Sequence, residues 1–304
     1  MRRCVIVMWM ALALLPLPLY GGDARGPIVL DISCKEGTEL YTVEEDGSNL
    51  KRITSFAAQQ AWAAHPTWSP DGRQVLFAVI WHGGGVHRSE VFVMSLDGAA
   101  PRRITNTPDG KSSWNAAWSP GGKRIVFTSD RAGNPDLYMM KSTGGQAEAL
   151  TKTEGKDRHS WNPAWSPDGR FIAFESNRTG SDEIYLLEVA TRKVRALTHT
   201  PEGQGSWTPA WSPDGKMIAF ASDRDVKSEL YVVDADGSNV RRLKVEVPGR
   251  PKWSPNGKKL IVQREDTPQR ESVWTVNVDG TELKQLVAHK ECSVRHPDWK
   301  GRRR

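Results

Sequence analysis

Cysteine is scarce, with three in 304 residues. That excludes a disulfide-dense scaffold and a cysteine-rich metal domain. Long apolar runs are missing except for Val5–Tyr20, so no stretch beyond residue 24 reads as a membrane span. Helical periodicity longer than a turn is missing too, which excludes a helical bundle. Neither sign of charge dominates. The formal charge is +6, and four of the positive charges lie in Lys300–Arg304, a run that reads as a solvated basic tail and not a nucleic-acid surface. No Gly-x-Ser-x-Gly nucleophile elbow occurs.

The single apolar run has the anatomy of a secretory signal. Arg2-Arg3 precede it, Pro16 and Pro18 break its end, and Gly22 and Ala24 supply small residues at the −3 and −1 positions. Residues 1–24 are therefore read as a signal peptide cleaved after Ala24, and 25–304 as an exported mature chain, periplasmic or secreted. Cys4 leaves with the leader.

Tryptophan is plentiful where cysteine is not. Six of the 13 tryptophans, at 68, 118, 165, 211, 253 and 299, recur every 42 to 50 residues. Around them one phrase repeats, most fully as Asn162-Pro-Ala-Trp-Ser-Pro-Asp-Gly-Arg-Phe-Ile-Ala-Phe-Glu-Ser-Asn-Arg178. A unit of that length cannot bury a core alone and must stack on its neighbours. Ser166-Pro-Asp-Gly169 fits a type I turn between two short strands. Glu183–Val189 and Val194–Thr198 supply two more strands, usually joined by a Gly turn as at Asp46-Gly47 or Asp236-Gly237. One such turn, Asp234–Asn239, opens like a calcium loop, but twelfth from Asp234 stands Val245 instead of Glu, so a hairpin is read. Four antiparallel strands per repeat make one blade of a β-propeller. Proline two residues before the tryptophan, in five of six copies, marks an edge strand facing a central channel.

The copies number six but are offset. The last inner strand has nothing after it, and the strands at 28–33, 39–43 and 50–54 have no inner strand before them. The expected fold is thus all-β, a six-bladed β-propeller closed by pairing of N- and C-terminal strands in one blade. Antiparallel pairing there sets Cys34 beside Cys292, which predicts a disulfide stapling the closure, worth about 2–5 kcal/mol.

Pro-x-Trp-Ser-Pro-Asp-Gly, Ile-Ala-Phe, Ser-Asp/Asn-Arg, Glu-Leu/Ile-Tyr and Leu-Thr resemble the TolB-type, WD40-like (PD40) propeller repeats over residues 27–301. The resemblance implies a periplasmic, non-enzymatic propeller that binds an envelope protein or lipoprotein, without cofactor. The α/β domain that precedes the propeller in TolB is not expected, because the first strand starts just after the cleavage site. Some similar propellers act on acidic sugars with a histidine-bound metal. Carbohydrate binding or processing is therefore the alternative, with a glycan as ligand.

Candidate binding residues are those where the copies differ. His65 and His296 hold the same place, three before the repeat tryptophan, where other blades have Asn115, Asn162, Thr208 and Arg250. They read as part of a polar collar at the channel, or as a pair close enough to share a metal. Trp114, Trp161 and Trp207 stand four before the repeat tryptophan, and Trp62 is a displaced fourth. They suit a sugar ring or a partner's apolar anchor, or else cap the blade seams. The stretch 79–89, with Trp81, His82 and His87 around three glycines, reads as a specificity loop. No catalytic set is read. Thiol titration of the unfolded, unreduced mature protein is expected to find no free thiol; two thiols would overturn the Cys34–Cys292 staple.

Overall fold

The computed structural model describes residues 28–83, 86–225, 227–247 and 249–301, with only the backbone of 83, 86 and 87. The signal-peptide reading at 1–24 and the last three arginines lie outside the described residues. The repeat phrase folds first as a turn. In all five complete copies the Gly N–H donates to the Ser carbonyl at 2.8–3.0 Å. The Ser hydroxyl accepts the N–H five residues on, at 2.9–3.0 Å. The Gly sits at φ +63° to +72°, a left-handed backbone that side chains tolerate poorly.

Each turn joins an inner strand to a second strand, and each blade is a four-stranded antiparallel sheet. Blade one holds Ala61–Trp68, Gln74–Gly83, Val86–Ser95 and Arg102–Arg103; blade two Ser113–Trp118, Arg124–Ser129, Asp136–Lys141 and Glu148–Ala149. Blade three holds Ser160–Trp165, Phe171–Ser176, Glu183–Glu188 and Val194–Ala196; blade four Ser206–Trp211, Met217–Ser222, Glu229–Asp234 and Arg241–Glu246. Blade five holds Gly249–Trp253, Lys259–Thr267, Arg270–Asn277 and Lys284–Val287. Blade six takes its inner strand, Ser293–Trp299, from the end of the chain and Ile28–Cys34, Gly37–Val43 and Lys51–Arg52 from the start. Ile28 pairs with Trp299 and Ser33 with Ser293. The chain is therefore a six-bladed propeller closed in one blade by both of its ends. Cys34 and Cys292 are bonded across that closure, their Cα atoms 4.6 Å apart.

Each blade buries both faces, so its central strands alternate between two neighbours. In blade two, Ile125 and Phe127 pack against blade one while Val126 packs against blade three. Six apolar clusters result, one per seam, and each takes in one repeat tryptophan. The stretch 79–89 is a correction to the sequence reading. It is not a loop but an extended hairpin whose ladder runs to Gly83–Val86. The second and third strands of this blade are each ten residues long, where those of blades two to four have six.

A polar line reinforces the seams. Asp136 is buried and accepts hydroxyl hydrogen bonds from Thr151 (2.7 Å) and Thr153 (2.6 Å). Thr153 meets Ser160 of the next blade at 2.8 Å, and Arg178 donates to Ser160 at 3.1 Å. Glu90 and Glu183 start the equivalent lines one blade either side. The recurrent arginines are not paired with the Asp or Asn before them. Arg131, Arg178 and Arg224 lie over Phe–Tyr ring pairs at 4.8–5.2 Å, while Asp130, Asn177 and Asp223 accept loop N–H groups. Asp136→Ala strands several buried donors and is expected to cost about 2–4 kcal/mol in urea unfolding. Asp236→Ala, in an exposed hairpin turn, is expected to cost under about 1 kcal/mol.

Candidate functional site

Every inner strand breaks at the same place. The pairing with the second strand shifts register around 65–66, 115–116, 162–163, 208–209, 250–251 and 296–297. The first residue of each pair has positive φ: His65 57°, Asn115 48°, Asn162 50°, Thr208 53°, Arg250 59° and His296 50°. A β-branched residue such as Thr208 is strained there. The bulge swings six side chains into the channel, and Pro66, Pro163, Pro209, Pro251 and Pro297 line its wall just behind them.

The collar is hydrogen-bonded in two arcs. In one, Asn115 donates to Asn162 (2.6 Å), and Asn162 donates to Glu175 (2.8 Å). Glu175 also accepts the Thr208 N–H (3.2 Å), and the Thr208 hydroxyl accepts the Arg250 N–H (2.8 Å). In the other, Gln263 accepts the His296 N–H (3.2 Å), while Asp31 accepts from His296 Nδ1 (2.5 Å) and the His65 N–H (3.1 Å). The two imidazoles lie with centroids 4.0 Å apart, their planes tilted by 35°. Burial holds both well below the usual histidine range, so they are neutral at neutral pH; for His65 the facing His296 adds to this, and for His296 the Arg250 charge does. Burial pushes Asp31 up to about 6, against the pull of the Arg295 charge and the hydrogen bond from the His65 backbone N–H.

Above the collar a cavity of about 410 Å³ is lined by Trp114, Trp161, Trp207, His65, Glu175, Arg250 and Gln263, among others. Four of the sequence-predicted residues thus share one mouth, and His296 lies just beneath it. Trp62 stands apart, its ring 3.8 Å from that of His82. Trp81 packs beside the blade six–blade one core, 6.0 Å from Phe92. His87 pairs with His82 in the hairpin ladder, and its side chain lies outside the described residues.

Sequence reading missed the second-strand positions facing the collar: Asp31, Glu175 and Gln263. Their signal was present, since the same ladder position holds Thr128 in blade two and Ala221 in blade four. His159 was missed as well. It stacks on Trp161 at 3.9 Å and meets Asp182 at 2.8 Å and Glu175 at 3.7 Å. Their ligand atoms lie within 4.8 Å of one another, close enough to hold a metal ion. Burial works against charge on His159, but hydrogen bonds to Asp182 and Glu175 outweigh it and raise its pKa to about 9.

A closed ring of blades around a polar channel with an aromatic mouth defines the class as a six-bladed β-propeller with its candidate site at one end of the channel. The chain belongs to the TolB beta propeller domain (PD40) family, whose profile matches residues 38–162 and 152–299. It is 33% identical over 119 residues to the Tol-Pal system protein TolB of Anaeromyxobacter dehalogenans, covering 39% of this chain and 25% of that protein. It is 30% identical over 126 residues to the TolB homolog of Chlamydia felis, covering 39% and 28%. The match thus spans about a quarter of these relatives' length. Among solved structures, TolB from Acinetobacter baumannii matches with a TM-score of 0.74 at 23% identity, over 92% of this chain and 68% of that one. Hydrazine synthase of Kuenenia stuttgartiensis matches with a TM-score of 0.69 at 14% identity, over 91% and 47%. At such identities the likeness is one of fold, and it recurs on proteins of unrelated function.

Asp31 provides a test of the collar. A folded-state pKa raised from 3.8 to about 6 makes charging Asp31 costly. Stability from this group is therefore greatest below pH 4 and falls as pH rises through 6, by up to about 3 kcal/mol. In urea titrations at stepped pH, Asp31→Asn is expected to lack that decline. An unchanged slope would overturn the assignment.

Proposed function

We infer that the chain is an exported, non-enzymatic propeller that serves as a protein-binding scaffold in the cell envelope, as a TolB-like member of its family. Membership in the family, with relatives named as Tol-Pal system proteins, supports the envelope setting. The observation that carries the binding role is the convergence of Trp114, Trp161 and Trp207 over a strained polar collar at one mouth. Aromatic side chains with a polar tip, beside hydrogen-bonding groups in a concave site, are what a partner's projecting segment needs. The leader read at 1–24 supports export to the periplasm or beyond. The partner is an envelope protein or lipoprotein that projects a loop or chain end into the mouth.

A second reading rests on the same indoles. Tryptophan faces beside Asn162, Glu175 and Arg250 also suit a sugar ring, so a glycan ligand competes with a protein one. Crosslinking in the native envelope followed by partner identification separates the two. A protein captured by wild type and reduced at least several-fold in Trp161→Ala is expected. Recovery of no protein, with peptidoglycan fragments or acidic oligosaccharides binding wild type and failing on Trp161→Ala, would replace the first reading by the second.

A further inference from the structure

We propose that Arg250 is a carboxylate anchor, and that the mouth receives an acidic side chain or chain terminus carried on an extended peptide of the partner. This rests on the protein-binding reading above and specifies the chemistry of what is bound.

The mouth and channel are rich in charge, and nearly all of it is matched internally. Arg295 lies 3.7 Å from Asp31 and 3.9 Å from Glu271, and Lys252 lies 3.9 Å from Asp298. Glu175 is held by Asn162, Thr208 and His159. Arg250 is the exception. Its backbone N–H is bonded to Thr208, but its guanidinium has no hydrogen bond and no carboxylate within 4 Å among the described residues. It nonetheless lines both the channel and the cavity above it, and burial lowers its pKa. Glu175 and Asp31 act on it only from beyond ion-pair distance, and a largely desolvated cation so loosely matched is costly unless something brings a carboxylate closer. The guanidinium fork fits a carboxylate in two parallel hydrogen bonds, which a lysine cannot reproduce.

The surroundings point the same way. At the position just before the collar, three blades place Trp114, Trp161 and Trp207, but blade five has Gly249. A Cβ on Gly249 would lie 3.1 Å from the Thr208 hydroxyl and 3.3 Å from the Trp207 ring. The missing side chain therefore lets the Trp207 indole settle against bare backbone beside Arg250 and leaves a gap in the aromatic rim there. Across the channel, the hydrogen-bonded collar ends in two buried, unpartnered atoms, His65 Nδ1 and Asn115 Oδ1. A bound segment can thus place its carboxylate on Arg250, its apolar neighbour against Trp207 and a backbone amide toward Asn115.

The test uses the mature full chain and capped peptides Ac-Gly-Trp-Glu-Gly-NH2 and Ac-Gly-Trp-Gln-Gly-NH2, followed through the indole N–H resonances of Trp114, Trp161 and Trp207. Saturable shifts with the Glu peptide, at least tenfold weaker with the Gln peptide and with Arg250→Gln, are expected; Arg250→Lys should recover only part. Unchanged melting temperatures of both variants guard against misfolding. Equal binding of the Glu and Gln peptides, or full binding by Arg250→Gln, overturns the anchor. Saturable binding of trigalacturonate with none of the Glu peptide overturns the peptide source. Envelope crosslinking separates this proposal from the one it rests on. A partner captured equally by wild type and Arg250→Gln sinks the anchor and leaves the scaffold standing, whereas no partner for wild type sinks the scaffold.

Discussion

No blade of this molecule can bury its own faces. Each sheet is apolar on both sides, and every large buried side chain, from Phe77 to Phe220, fills a seam shared with a neighbouring blade. The six seams must all close together or leave two wide apolar faces in water. Joining the first strands and the last in one sheet meets that demand with a hydrogen-bonded ladder and a covalent bond. The buried Asp136–Thr153–Ser160 line and its two counterparts add direction, since a seam packed out of register would leave carboxylates stranded.

With the seams filled, the inner strands are left facing one another, and the channel is where the repeats are free to differ. All six share the bulge that points a residue inward at positive φ, yet the six residues so displayed are His, Asn, Asn, Thr, Arg and His. The common backbone costs strain at every blade, and the differing side chains turn that strain into a composed surface. Fold and site are therefore built at the same positions, one residue apart.

How much of this could be read in advance follows the same division. The turn, the four strands per blade, the offset closure and the tryptophans in the seams follow from local rules written six times over. The mouth was partly legible, because Trp114, Trp161 and Trp207 stand out as additions to the repeat. Asp31, Glu175 and Gln263 did not stand out, since they belong to second strands whose apolar pattern hides one variable ladder position. The hairpin through Trp81 and His82 misled because three glycines resemble a loop, whereas the two strands stay paired as far as Gly83 and Val86.

Closure in blade six also fixes where the described chain begins and ends. Ile28 and Trp299 are paired, and Gly301 reaches the ring of prolines 70, 120, 167, 213 and 255 at the turn end of the inner strands. The tryptophan mouth lies at the opposite end, about 20 Å away for a six-residue strand. A partner seated on the indoles is therefore kept a strand's length from the proline ring, and the two faces of the molecule can be engaged independently.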